Sequence, residues 1–302
     1  MSVDTATRMT MAAMEAAVKA RVPVMLVGAP GTGKTAAVRA LAEKIGYELI
    51  TVVGSQLDPT DIIGLPKGEK IMEREDGTPI YGTTYLTPWW QVRILVKKKI
   101  ILFLDEFSNT SGATRAAMLT MLQNREFPTG DVMPQETIVI GAMNPAEQAA
   151  DGYELDLPTT NRLFFMAWSP SATSWYEGMI SAWGAKDVSE KEMEWRRKIV
   201  GFVKDNPTWM HREPQDVETV EAYGLNAKDP SQMEVFRSAW ASRRSWDKLA
   251  QVLPHAPEDV SIQDKIASGL VGYAASGAFR DWLRKHGVID PRKVIEKPEG
   301  YK

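Results

Sequence analysis

Eight consecutive residues, Gly28-Ala29-Pro30-Gly31-Thr32-Gly33-Lys34-Thr35, restrict this chain more than any other feature of it. They fit the pattern G-x-x-x-x-G-K-[ST] at every position. The run before them, VPVMLV, reads as a buried strand, and the run after them, AAVRALAEKI, has helical periodicity. A strand that stops at glycine and restarts as a helix closes a tight loop. Its backbone N–H groups converge on one point, with the positive end of the helix behind them. That is a cradle for phosphate. Lys34 can reach the outer phosphates of a nucleotide, and the Thr35 hydroxyl can ligate magnesium.

Binding a nucleotide does not imply cutting it, which takes a second set of groups. KKKIILFLDEF, Lys97 to Phe107, supplies candidates about seventy residues on, where an apolar strand delivers Asp105 and Glu106 at its end. In a parallel sheet the strand ends gather at one edge, where ligands bind. Asp105 would hold magnesium through its water shell, and Glu106 would polarise an attacking water. Two solvated loop charges are the bland alternative for such a pair. Its appearance after a complete phosphate loop makes nucleoside triphosphate hydrolysis the leading expectation.

Taken in order, these segments resemble the AAA+ ATPases, and within them the MoxR-like branch that includes the CbbQ, NorQ and GvpN types. The resemblance is strong from Val22 to Ala167 and weaker beyond. LDPTDIIGLP, Leu57 to Pro66, is similar to the stretch that opens an insertion in that branch. The segment that follows, EKIMEREDGTPIYGTTYLTP, holds Asp76-Gly77 between strand-like flanks, which is a hairpin signal. The resemblance makes this hairpin, near residues 67–87, a contact for substrate or partner; a plain surface hairpin is the other reading. Asn144, at the end of ETIVIGAMNP, falls where the family carries its sensor 1 amide. In YELDLPTTNRLFF, Arg162 falls at the arginine finger that enters a neighbouring subunit's site, although Asn161 replaces the usual Asp and Leu163 an aromatic. A guanidinium there would spread charge over the transition state, whereas a surface salt bridge is the ordinary fate of such an arginine. In SAWASRRSWDKLAQVL, Arg244 aligns with the sensor 2 arginine and Arg243 stands where proline is expected, an assignment open by one position.

The expected fold class is therefore α/β: a P-loop parallel sheet flanked by helices over residues 1–170, then an α-helical lid and extension over 171–302. The sheet follows from strands near 22–27, 48–53, 100–104, 137–142 and 163–167 alternating with helices. The lid is implied by the resemblance and fits the helical periodicity after the turn-rich WSPSATS. Seven of the ten tryptophans lie past residue 170, at spacings that suit packing. The tail DPRKVIEKPEGYK reads as loose, and residues 1–20 as a helix.

Composition narrows the function. Lys and Arg number 36 against 39 Asp and Glu, so there is no general pull toward nucleic acid. LVKKKI, without interleaved aromatics, reads as a solvated turn. There is no cysteine, and His211, His255 and His286 are scattered, so nothing suggests a thiolate, a metal centre or a triad. No apolar run is long enough to span a bilayer and the first twenty residues lack a signal-peptide core, which reads as cytoplasmic. The resemblance implies ATP and Mg2+ as cofactors and a homo-oligomeric, hexameric ring that remodels a protein client, with a von Willebrand factor A domain protein as partner. An ATP-gated binding module with little turnover, a nucleic-acid motor of helicase or clamp-loader type, and a small-molecule kinase are the competing classes.

Overall fold

Five of the apolar runs pair into one parallel sheet. The computed structural model describes residues 5–146, 155, 157–185, 187–212, 231 and 238–286. The start of the Tyr153–Phe165 element, residues 213–230 and 232–237, and the charged tail lie outside these. The described residues divide into two compact units between Ser171 and Ala172.

In the first unit, α1 (Thr5–Lys19) precedes β1 (Val24–Val27), α2 (Lys34–Ile45), β2 (Glu48–Val53) and α3 (Pro59–Ile63). Then come the pair β3 (Leu65–Glu73) and β4 (Pro79–Leu86), α4 (Trp89–Val96), β5 (Ile100–Asp105), α5 (Gly112–Asn124), β6 (Ile138–Met143), α6 (Leu157–Thr160) and β7 (Phe164–Ala167). The sheet runs β2-β5-β6-β1-β7, every pairing parallel. This is a parallel α/β fold with helices on both faces of the sheet, as the alternation of strands and helices predicts.

The strands are apolar at successive positions because both faces of the sheet are covered. From β5, Leu102 and Leu104 pack with Met118, Met121 and Leu122 of α5, while Ile101 and Phe103 pack with Val38 and Leu41 of α2 and Met14 of α1. Charge adds to the seating of α1. Glu15 pairs with Lys19 at 2.8 Å and Lys44 at 2.5 Å, and these ammonium groups hold its carboxyl down at about 2.

The hairpin β3/β4 stands apart from that core. Its strands pair antiparallel with a bulge between Lys70 and Met72, and they turn at Asp76-Gly77, where the Asp76 carboxylate accepts the Thr78 N–H at 2.9 Å. That bond holds the Asp76 carboxyl below its usual range. Every residue of β3 and most of β4 are exposed, including Met72, Tyr81 and Leu86.

The second unit is helical: Ala172–Ile180, Glu190–Asp205, Arg243–Val252, Val260–Val271 and Tyr273–His286. Its core is built on aromatic side chains. Phe202 lies 5.5 Å from Trp246 and 5.2 Å from Phe279, centroid to centroid, and the Trp246 indole donates to the Trp209 carbonyl at 2.7 Å. Trp183 departs from the packing expected of these tryptophans, at 54% exposed. Arg196 is buried and paired with Asp247 at 2.7 Å and Glu192 at 2.8 Å. Trp246 is fully buried. Trp246→Ala is therefore expected to destabilise this unit by about 3–5 kcal/mol, through the cavity and the bond it leaves unmade. Denaturant unfolding of the full chain would read this as a separate early transition, and superimposable curves would refute it. Among the described residues no helix is long and apolar enough to cross a membrane.

Candidate functional site

The phosphate loop lies between the end of β1 and the start of α2, at the sheet edge where β5 and β6 also end. The Gly28 N–H donates to the Met143 carbonyl at 3.2 Å, tying the start of the loop to the neighbouring strand. Gly33 takes φ +89°, a left-handed conformation that glycine adopts without steric cost, and α2 begins there with no side-chain cap. A helix start of this kind, behind a turn of small residues, receives anions.

Lys34 is only 8% exposed. Its ammonium donates to the carbonyls of Gly28 at 2.6 Å and Ala29 at 3.1 Å, and to the Asn144 Oδ1 at 2.9 Å. Thr32 Oγ1 closes the loop onto the Ala29 carbonyl at 2.7 Å. The Thr35 hydroxyl donates to Asp105 Oδ2 at 2.7 Å. Thr35 and Asp105 thus present hydroxyl and carboxylate oxygens side by side, the hard donors that magnesium takes alongside phosphate oxygens and water, so these residues fit the ion.

Glu106 follows directly. Its N–H donates to Asp105 Oδ1 at 2.9 Å, and its backbone is left-handed, φ 56° and ψ 38°. Few residues with a side chain hold that conformation, and such strain collects where an element must aim a side chain out of its strand. The Ser55 hydroxyl, just past β2, donates to the Glu106 carboxylate. Asn144, at the end of β6, is fixed through its N–H to the buried Ser108 hydroxyl at 3.2 Å. The side chain of Asn144 meets Lys34 on one side while its backbone meets the segment after Asp105 on the other.

Of the sequence-derived candidates, Gly28 to Thr35, Asp105, Glu106 and Asn144 therefore share one sheet edge. Arg162 lies elsewhere in the same unit: it is exposed after α6 and donates to the Gln123 Oε1 at 3.3 Å, with no carboxylate partner among the described residues. Arg243 and Arg244 belong to the helical unit. They open the helix Arg243–Val252 behind a Ser242 cap that accepts the Ser245 N–H at 3.1 Å. The two differ sharply. Arg244 is exposed, whereas Arg243 is half-buried near Tyr176, where burial lowers its guanidinium from the ordinary value and raises the phenol.

Sequence reasoning missed Ser55, Ser108 and Trp168. Ser55 sits two residues past a predicted strand and Trp168 one past another, so both were placed at the ligand-bearing edge by the strand pattern; no motif marked either.

Residues 23–163 match the AAA domain family, dynein-related subfamily. No curated protein matches the sequence. Similar solved structures include the RuvB Holliday junction branch migration motor from Thermotoga maritima, at 13% identity and TM-score 0.40, covering 94% of this chain and 88% of that one. NtrX from Brucella abortus in complex with ADP is similar at 14% identity and TM-score 0.40, over 95% and 70% of the two chains. Likeness at that level transfers no function.

Proposed function

We propose, for a chain whose residues 23–163 match the AAA domain family, an AAA+ ATPase of the MoxR-like branch that works as a homo-oligomeric, hexameric ring in the cytoplasm. Its hydrolysis cycle would remodel, assemble or activate a protein client, with a von Willebrand factor A domain protein as partner. The observation that carries the reading is the convergence of three separate segments at one sheet edge, with Lys34 at 2.9 Å from Asn144 and Thr35 at 2.7 Å from Asp105.

In this reading the loop amides and Lys34 bind the phosphates of ATP. Magnesium, held near Thr35 and Asp105, would neutralise phosphate charge. Glu106 takes a proton from water as its oxygen attacks the γ-phosphorus and the bond to ADP breaks, giving ADP and inorganic phosphate. Ser55 donates to one carboxylate oxygen of Glu106 and leaves the other to accept that proton. Asn144, released by Lys34 when phosphate arrives, is free to orient the water. Arg244, on the helical unit, is assigned the sensor 2 role, its exposure suiting a residue that must reach a ligand better than the half-buried Arg243. The exposed hairpin β3/β4 is assigned to client or partner contact.

Arg162 is the finger in this scheme. An exposed guanidinium held by a single long bond to an amide can leave it at little cost and enter a neighbour's site. ATPase rate per protomer, measured against protein concentration, is expected to climb as subunits assemble. Arg162→Ala should keep ATP binding and lose hydrolysis by about 10³-fold or more. Mixing it with Lys34→Ala should restore part of the rate. A rate independent of concentration in a chain that sizes as a monomer, with no rescue at any mixing ratio, would refute the shared site.

A further inference from the structure

Trp168 touches both ends of the phosphate loop. Its backbone N–H donates to the Val27 carbonyl at 2.7 Å, immediately before the loop. Its own carbonyl oxygen fills the space where a Cβ on Gly28 would stand, so Gly28 is where it is because only hydrogen fits there. At the far end of the loop its indole Nε1–H donates to the Thr32 carbonyl at 3.1 Å. Trp168 is 6% exposed. Because a trans peptide is planar, holding the Thr32 carbonyl toward the indole turns the Gly33 N–H the opposite way. Gly33, at φ +89°, is the last residue before the helix and the one whose amide is most easily turned.

We propose that Trp168 is a positioning residue for nucleoside triphosphate binding: its indole N–H fixes the Thr32–Gly33 peptide so that the Gly33 amide faces the phosphate. The inference rests on the ATPase reading above and adds to it a residue outside every motif. Any buried tryptophan needs a partner for its N–H; here that partner is the Thr32 carbonyl, the other half of the peptide that carries the Gly33 amide.

The test is W168F, which keeps a ring over Gly28 and removes the N–H, assayed in the full chain for ATP hydrolysis and for melting without nucleotide. KM for ATP is expected to rise about fivefold, the size of one lost neutral hydrogen bond, with kcat within about twofold of wild type. An unchanged KM, whatever the melting temperature does, would leave Trp168 as packing and overturn the inference. So would a loss that falls on kcat, alone or together with KM, since that marks general damage to the site. Should W168F lack a cooperative melting transition, W168M, which likewise has no donor, is judged by the same criteria. A wild-type chain that binds no ATP removes the ATPase reading and this inference together; wild type and W168F with equal KM remove this inference alone.

Discussion

Lys34→Ala is expected to reduce ATP affinity at least 100-fold, to the edge of detection. The side chain is the one cation already seated inside the loop, and charge-assisted bonds to phosphate contribute about 1.5–3 kcal/mol each. The substitution also leaves the Gly28 and Ala29 carbonyls and Asn144 without the ammonium they now accept from, so part of the effect is on the empty site. Titration with ATP alongside melting without nucleotide separates the two contributions. Affinity within a fewfold of wild type, in a variant that melts normally, would take the whole assignment of Gly28 to Thr35 down with it.

Glu106→Gln should have the opposite signature: ATP bound about as tightly as by wild type, with turnover lower by about 10²–10⁴-fold, the usual worth of a positioned general base. An amide oxygen can still accept from Ser55, so the strained backbone and its anchor survive the change. What is lost is the basicity that takes up the proton. Quantifying nucleotide retained after gel filtration, together with single-turnover phosphate release, should show a complex holding intact ATP. Turnover within tenfold of wild type would release Glu106 from the role and point to another base.

Much of this architecture was legible in the chain because its signals are local. The phosphate loop announces itself through glycine spacing, the strands through apolar runs, and the hairpin through Asp76-Gly77. The sheet order was not: nothing near β1 says that its neighbours are β6 and β7 rather than β2. The couplings inside the site escaped for the same reason. Lys34 reaches Asn144 across 110 residues, Ser55 reaches Glu106 across 51, and Trp168 reaches Thr32 across 136. Each is a product of strand order, which places remote strand ends side by side. The burial of Arg243 beside an exposed Arg244 was equally closed to pattern reading, because it depends on which side of one helix faces the aromatic core.

That strand order also sets a schedule for synthesis. Val24 of β1 pairs with Ile140 and with Phe164, and with nothing made earlier. A ribosome adding about 5–20 residues per second needs on the order of ten seconds to supply the first of those partners. Throughout that interval an apolar strand waits with both edges open, the condition in which nascent chains associate with one another. The nucleotide cradle hangs from the end of the same strand, with Gly28 tied to Met143 and Thr32 to Trp168. It can therefore take shape only after residue 168 has emerged, and a chain interrupted before that point would expose an apolar strand without yet possessing the ligand site that could stabilise it.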